Sequence, residues 1–509
     1  MKVHLLYMDR DFDFSAPLPP NQQELIQDLE LSPILEALAS TDKFLLDIST
    51  RVLLTILNDE TAIRYRQEIL EDCRAAPGLA RAIYGLATEA LKDKRGIWGY
   101  NFQSPSSLLS GAVRQLEADV LHLRALRKLV DEQAGSWRST GMKALFRSLQ
   151  EQLGDDYFET VAFHLKQLRL RKGELISAEL APDNSGTGFI LHSIESSKQG
   201  WKERLRYHTR TAYSFSLPPR DEAGEQALAN LANRGLNLVA NAAAQSADHI
   251  AGYFATLRAE LGFYIACLNL YEVLDRKSVQ LCRPDPCNWQ PFTFSASGLC
   301  NPSLALRTDS SIVGTDIDAS GESTVIITGA NSGGKSTFLR STGLALLMMQ
   351  SGMLVAATSF RASVCTGLFT HFPRKEDPTM TSGHLDEELA RLSTIIDQIQ
   401  PHCLVLFNES FASTNEKEGS EIGYQVIRAL NEADTSVFFV SHHFELADRL
   451  HRDYADSTLF LRAERLPDGQ RTYKLAVADP LPTSFGKDLY YRLGEWGASD
   501  REPGNGPAT

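Results

Sequence analysis

The sequence lacks any long uninterrupted apolar run. No stretch of about 18 or more apolar residues occurs, and the chain turns acidic at residues 9–13 instead of continuing into a signal-peptide core. These absences argue against a membrane span and a secretory leader, and they predict a cytoplasmic protein. Hydrophobic residues make up 43% and charged residues 23% of the 509 residues, which is ordinary for a soluble, folded protein with more than one domain.

Cysteine is scarce and scattered. The seven cysteines form an odd, unpatterned set, which argues against a disulfide framework and favours reduced thiols. Cys282 and Cys287 lie close together, but no second pair or histidine follows at zinc-ligand spacing. Thiols in a loop or in the core are therefore favoured over a zinc site.

An excess of positive charge is also absent. The net charge of −13 argues against nucleic acid wrapped over the whole surface, so any DNA contact must be local. One candidate segment follows residue 193 and interleaves cations with Trp201, Tyr207 and His208, a mixture that suits phosphate contact and base stacking. A solvated helix face fits it equally well. The candidate DNA-binding residues are Lys198, Lys202, Arg204, Arg206 and Arg210.

Proline is missing from two long segments, residues 106–153 and 221–283. Apolar residues recur in both at steps of three and four, which predicts long amphipathic helices, although internal glycines could break them. Between them, residues 173–192 alternate apolar and polar residues around a turn-forming segment, which predicts a small hairpin. Basic residues flank this hairpin on both sides.

The pattern changes after Pro284, first to short β-rich runs and turns and then, from Thr324, to strands that alternate with helices. We therefore predict an all-α core and lever domain over residues 1–283, with a short clamp-like insertion near residues 160–215. An α/β domain is predicted over residues 284–496. The Gly- and Pro-rich tail, residues 497–509, is predicted to be disordered.

The strongest motif runs from Gly329 to Ser336 and matches G-x-x-x-x-G-K-[ST] in full. It follows a strand-like segment and precedes an apolar helix, which is the context that a phosphate-binding loop requires. Gly329, Gly333 and Gly334 would let backbone N–H groups form an anion nest at a helix N-terminus. Lys335 is predicted to neutralise the β- and γ-phosphates of ATP, and Ser336 to bind Mg²⁺.

A second apolar strand, residues 402–407, ends in Asn408 and Glu409, where a Walker B motif would have two acids. Asn408 offers Mg²⁺ only an amide oxygen, which predicts weaker metal binding or slower turnover. Glu409 is the candidate general base that polarises the attacking water, the alternative being a solvated carboxylate at a strand end.

The next strand, residues 436–441, is followed by His442. Related ATPases have a histidine that senses the γ-phosphate at this position. A lone histidine is more often structural, but the carboxyl edge of a parallel sheet is where ligands bind, which favours the functional interpretation.

These segments resemble the MutS family. The resemblance implies that residues 284–496 form an α/β P-loop NTPase domain of ABC type. Residues 326–340 resemble its Walker A block, including Asn331 and Thr337, which the resemblance implies contact the nucleotide. Residues 404–419 are similar to its Walker B and D-loop, and residues 441–446 to its histidine switch. Weaker similarity extends to residues 53–67 and to 484–486. The N-terminal mismatch-recognition and connector domains of that family have no counterpart in the sequence.

The resemblance implies a dimer with composite ATPase sites, in which a serine of one subunit completes the nucleotide site of its partner. Ser382 is the candidate, although its surroundings depart from the usual G-x-S-T-F form. Ser382 or Thr381 would serve equally well as a helix cap before an acidic first turn.

The leading expectation is an ATP-gated DNA clamp, a homodimer that binds double-stranded, mismatched or branched DNA in repair or recombination. The alternative is a nucleotide-dependent assembly or signalling scaffold of MutS type that does not bind DNA, which the acidic net charge favours. A cohesin-like ATPase is disfavoured, because the helical segments are too short for its coiled-coil arms.

Overall fold

The computed structural model describes most of the chain, in two compact units. The first unit comprises Met1–Phe12 and Ala75–Gly262, and the second comprises Asp13–Arg74 and Phe263–Thr509. The described residues are 2–98, 104–132, 135, 137–171, 173–183, 185–193, 213–374, 383–466 and 470–481.

The first half of the chain is helical apart from one hairpin. Its elements in chain order are α1 (Gln22–Asp28), α2 (Ser32–Ala39), α3 (Lys43–Leu54), α4 (Glu60–Ala75), α5 (Pro77–Trp98), α6 (Pro105–Glu132), α7 (Thr140–Gln152), α8 (Asp155–Leu168), β1 (Leu175–Leu180), β2 (Gly186–His192) and α9 (Glu222–Arg276).

Strands and helices alternate in the second half, as the sequence predicted. Its elements are β3 (Asp285–Cys287), β4 (Phe294–Leu299), α10 (Pro302–Arg307), β5 (Thr315–Asp318), β6 (Thr324–Gly329), α11 (Lys335–Gln350), β7 (Ser359–Ser363), β8 (Gly367–His371), α12 (His384–Ile396), β9 (Cys403–Asn408), α13 (Glu416–Glu432), β10 (Ser436–Val440), α14 (Phe444–Asp453), a 3₁₀ turn (Ala455–Ser457), β11 (Thr458–Arg465) and β12 (Arg471–Val477).

The two proline-free segments are helical, and one of them is interrupted. The second forms α9, which runs unbroken for 55 residues, about 80 Å at about 1.5 Å per residue. In the first segment α6 ends at Glu132 and α7 begins at Thr140, with Gly135 between them. Ser139 caps α7 by accepting a hydrogen bond from the N–H of Met142. The internal break that glycine allows is therefore present in the first segment.

The predicted hairpin is confirmed. Strands β1 and β2 pair antiparallel, from Leu175 opposite His192 to Leu180 opposite Gly186. The turn between them is held by Asp183, whose side chain accepts hydrogen bonds from the N–H and the hydroxyl of Ser185.

A six-stranded sheet forms the centre of the second unit, in the order β12-β11-β6-β10-β9-β8. Neighbouring strands from β11 to β8 are parallel, and β12 is antiparallel to β11. Every residue of β9 and β10 is buried, which explains why both strands read as continuous apolar runs. A second sheet has the order β3-β7-β4-β5.

The N-terminal helices α1–α4 pack with the α/β elements. Asp28, at the end of α1, accepts a hydrogen bond from Thr370 of β8 at 2.8 Å. Gln350, at the end of α11, exchanges hydrogen bonds with the backbone of Leu57. Residues 13–74 therefore pack with the α/β elements in the second unit, although we predicted them from the sequence as part of the helical domain. The predicted domain boundary near residue 284 stays a prediction.

Candidate nucleotide-binding site

The loop between β6 and α11 requires glycine at three positions. Gly329 and Gly334 have φ angles of 105° and 93°, in the left-handed region that side chains rarely adopt. A Cβ on Gly333 would lie 2.7 Å from the Cβ of Ala463, and one on Gly334 would lie 2.9 Å from the carbonyl oxygen of Tyr473. The β11-β12 hairpin therefore packs too closely against this loop for any residue larger than glycine.

Helix α11 begins with unsatisfied N–H groups. Gly334 is its N-cap and supplies no side-chain hydrogen bond. Lys335, Ser336 and Thr337 form the first turn, and Asn331 is exposed in the preceding loop. The free N–H groups and the helix dipole make this terminus a site for a phosphate group.

The ammonium group of Lys335 lies over the phosphate-binding loop. Its Nζ donates to the carbonyl oxygens of Gly329, at 2.9 Å, and Ala330, at 3.1 Å. Burial lowers the pKa of Lys335 to about 8, the positive charge of Arg471 adds to this effect, and the carboxylate of Glu409 opposes it. A buried cation without a directly bonded carboxylate is well suited to pair with a phosphate group.

Ser336 and Asn408 meet at the base of the loop. The Ser336 hydroxyl donates to the Oδ1 atom of Asn408 at 2.9 Å, and Asn408 is buried. Both side chains carry oxygen atoms that Mg²⁺ accepts as ligands. Among the described residues no group of three or more His, Cys, Asp or Glu side chains could hold a metal by itself. The two side-chain oxygens fit a magnesium ion whose other ligands would be phosphate oxygens and water.

Glu409 and His442 follow neighbouring strands, β9 and β10. The Nε2 atom of His442 donates to Oε1 of Glu409 at 2.7 Å, and this hydrogen bond is the main reason that the pKa of Glu409 is lowered. Glu409 has a φ of 53°, and its N–H donates to the carbonyl oxygen of Val440 at 2.8 Å. The carboxylate is therefore ionised at neutral pH, and both its backbone and its side chain are held in place.

Several predicted site residues lie outside the described residues. Ser382 is one of them, so its predicted role in a partner's nucleotide site stays a prediction. The candidate DNA-binding residues also fall there and stay predictions: Lys198, Lys202, Arg204, Arg206 and Arg210.

The sequence motifs did not reveal a cavity beside the first turn of α11. It has a volume of about 300 Å³, and its walls include Thr337 and Phe338 of α11, Ile312 and Val313 before β5, and Tyr473 of β12. These residues come from three separate parts of the chain. No spacing rule groups them, because tertiary packing brings them together, including that of the β11-β12 hairpin against the glycine loop.

Two family models match, one for each half of the chain. Residues 58–277 match the MutS2 N-terminal domain, and residues 325–486 match MutS domain V. The chain belongs to the MutS family. The resemblance and the fold class predicted from the motifs are confirmed. MutS domain V is an ATPase domain, so this MutS-family chain carries its ATPase in the second unit.

The MutS-family relatives are named as DNA mismatch repair proteins. MutS of Porphyromonas gingivalis is 28% identical over 257 residues, which cover 44% of this chain and 28% of the relative. MSH3 of Arabidopsis thaliana is 30% identical over 306 residues, covering 57% and 26% respectively. MutS of Caulobacter vibrioides is 32% identical over 174 residues, covering 33% and 19%. The matched part of the chain thus spans less than a third of each relative.

None of the described helices contains an apolar stretch of the length that spanning a bilayer requires.

Proposed function

We propose that this protein binds ATP with Mg²⁺, hydrolyses it to ADP and phosphate, and uses the cycle to open and close a dimeric clamp on DNA. The observation that carries the proposal is the carboxyl edge of the six-stranded sheet. There a glycine loop, a buried ammonium and a histidine-bound carboxylate converge.

Each residue of this edge has a specific task. The loop amides and Lys335 bind the β- and γ-phosphates, and Glu409 accepts a proton from the attacking water. His442 holds the Glu409 carboxylate towards that water and responds to the γ-phosphate. Ser336 and Asn408 would hold Mg²⁺, which when bound neutralises charge on the phosphate oxygens.

The cavity beside α11 accommodates the base of the nucleotide. It adjoins Gly334 and Thr337, the residues next to the phosphates, and Ile312, Val313 and Phe338 offer apolar surface to a flat ring. Tyr473, which is 54% exposed, is available to stack on that ring.

Two copies of the chain complete the ATPase sites, with Ser382 of each reaching the γ-phosphate held by the other. The family supports this arrangement, because MutS-type ATPases are typically dimeric. ATP in both sites would then draw the ATPase units together and shift the long helices around DNA, and hydrolysis would reset them.

The DNA part of the proposal rests on the relatives' names and on the basic segment of residues 198–210. Filter binding of labelled duplex and four-way-junction DNA, with and without ATP and Mg²⁺ at low salt, tests it. We expect a nucleotide-dependent change in affinity. Replacement of the five candidate cations by glutamine should weaken binding. It should also reduce the salt dependence by roughly one unit of slope for each phosphate group that the protein no longer neutralises.

A matched control neutralises Lys128, Lys143 and Arg147, exposed cations of α6 and α7. This variant should bind DNA as the unmodified protein does. Absence of any nucleotide-dependent DNA binding would favour the alternative, a MutS-type scaffold that assembles with other proteins. Equal weakening in both variants would contradict the assignment of residues 198–210 as the DNA contact. The net charge of −13 is the observation in favour of that alternative.

Substitution of Asn408 by aspartate is expected to accelerate hydrolysis. A carboxylate would accept the Ser336 hydroxyl as the amide does, and it would add a full negative charge beside the metal. A gain of about 1.4 kcal/mol in transition-state stabilisation would raise kcat roughly tenfold, and the Mg²⁺ concentration for half-maximal rate should fall. Steady-state phosphate release across a Mg²⁺ titration measures both quantities.

Asn230→Asp, on the exposed surface of α9, adds the same charge away from the site and serves as the control. Identical Mg²⁺ titrations for all three proteins would contradict a role of position 408 at the metal.

A further inference from the structure

A buried histidine, His371, lies beside the loop that follows Glu409. None of the sequence motifs includes it. His371 is the last residue of β8 and is 1% exposed. It pairs with Phe407 of the neighbouring strand β9, and its ring stacks on Phe411 at a centroid distance of 5.7 Å. The imidazole is therefore enclosed between the sheet and the residues that follow Glu409.

The ring of His371 bridges two parts of the chain. Its Nδ1 lies 2.7 Å from the hydroxyl oxygen of Ser410, and its Nε2 lies 3.0 Å from the carbonyl oxygen of Glu388 in α12. Burial lowers the pKa of His371 to about 4, so the ring is neutral at physiological pH. The carbonyl oxygen of Glu388 only accepts, so Nε2 carries the proton and donates to it. The single proton of the Ser410 hydroxyl lies between two acceptors, Nδ1 and the carbonyl oxygen of His371.

Ser410 stands at a strained point of the backbone. It directly follows Glu409, with a φ of 53°, and precedes Phe411, with a φ of 64°. Residues other than glycine rarely adopt this left-handed conformation, and they retain it only where surrounding contacts impose it. The contacts between Ser410 and His371 are such a constraint, because the Ser410 hydroxyl lies within 2.8 Å of both Nδ1 and the His371 carbonyl oxygen.

Glu388 completes the connection on the side of α12. Its carbonyl oxygen accepts the hydrogen bond from Nε2 of His371, and its carboxylate accepts a hydrogen bond from the hydroxyl of Ser413 at 2.8 Å. Arg391, one turn further along α12, donates to the carbonyl oxygen of Phe372, the residue after His371. Helix α12 is thus tied at several points to the end of β8 and to the loop that follows Glu409.

We propose that His371 is a positioning residue that couples the loop carrying Glu409 to helix α12. Through this coupling, the structural change caused by nucleotide binding at the P-loop reaches α12. The proposal rests on the ATP site proposed above. When Glu409 adjusts to the γ-phosphate, its neighbour Ser410 moves with it, and the His371 ring carries this displacement to the backbone of Glu388.

Hydrogen–deuterium exchange of the full chain tests the coupling. The probe is the non-hydrolysable analogue adenosine 5′-(β,γ-imido)triphosphate with Mg²⁺, and the peptides followed cover residues 329–345 and 384–396. In the unmodified protein the analogue should slow exchange in both segments. His371→Phe keeps the aromatic contacts and removes both ring hydrogen bonds, and Ser410→Ala removes only the hydroxyl. Both variants should keep the protection of residues 329–345 and lose that of residues 384–396.

His451→Phe replaces a half-buried histidine of α14 that contacts neither Ser410 nor Glu388; it is the matched control and should behave as the unmodified protein. If the two variants protect residues 384–396 as the unmodified protein does, or if those residues do not respond in the unmodified protein, the coupling is overturned. If residues 329–345 of the unmodified protein gain no protection, the ATP site itself fails, and the coupling fails with it.

Steady-state kinetics distinguish a positioning role of His371 from a merely structural one. Both variants are expected to lower kcat by roughly tenfold while KM stays unchanged, because the P-loop is intact and only the orientation of the general base is disturbed. The double variant should be no slower than either single variant, since His371 and Ser410 act as one unit. A parallel loss of kcat and of nucleotide affinity would mark a merely structural role and overturn the proposal.

Discussion

Replacement of Lys335 by alanine is expected to weaken ATP binding strongly. The variant lacks the buried ammonium that lies over the loop and would pair with the phosphates through charge-assisted hydrogen bonds. The loss of about 3 kcal/mol for such contacts corresponds to roughly a 100-fold weaker affinity. Equilibrium titration of ATP in the presence of Mg²⁺ measures it directly.

The matched control is Lys143→Ala, which removes an exposed lysine from α7 and leaves the ATPase unit untouched. It should bind ATP with the affinity of the unmodified protein. Circular dichroism should be the same for all three proteins, because alanine is well tolerated in the first turn of a helix. An unaltered ATP affinity in Lys335→Ala would refute the assignment of the P-loop as the nucleotide site.

Glu409→Gln is expected to stop hydrolysis and to preserve ATP binding. The amide oxygen still accepts the hydrogen bond from His442, so the geometry is retained, but the side chain can no longer accept a proton from water. General-base catalysis contributes on the order of 10²- to 10⁴-fold, and kcat should fall by a factor in that range. Single-turnover hydrolysis, together with a binding titration, separates the two effects.

Glu432→Gln, which alters an exposed carboxylate paired with Arg428 at the end of α13, is the corresponding control. It should hydrolyse ATP at the normal rate. Turnover close to normal in Glu409→Gln would assign the proton transfer to another group and leave Glu409 as a carboxylate held by His442.

The two variants distinguish binding from chemistry. Lys335→Ala should fail at the first step, so that raising the ATP concentration partly restores its rate. Glu409→Gln should bind normally and remain slow at any ATP concentration. The same defect in both would mean that the two side chains serve a single step.

The nucleotide site was largely predictable because its parts are contiguous in sequence or follow successive strands. The P-loop is one short segment whose glycines, lysine and serine have fixed spacing, and its strand-loop-helix context is visible in the hydrophobic pattern. Glu409 and His442 each follow a fully buried strand. Since parallel strands place their carboxyl ends at one edge, the strand order alone accounts for the 2.7 Å contact between the two side chains.

Other features could not be predicted from spacing. His371 and Ser410 carry no motif, and their hydrogen bond depends on β8 and β9 lying side by side in register. The cavity beside the first turn of α11 depends on how the β11-β12 hairpin packs against the glycine loop. The break between α6 and α7 was only one of two possibilities, because a glycine permits an interruption of a helix without requiring it.

The sequence by itself determined the MutS-type motifs, the alternation of strands and helices, and the positions of the candidate site residues on a loop and at strand ends, because these depend on local spacing and on hydrophobic periodicity. Tertiary structure alone decided that residues 13–74 pack with the ATPase elements and that a buried histidine joins the loop after β9 to α12. Contacts between distant segments arise from the packing of whole faces against one another, and the same local pattern is compatible with many such packings.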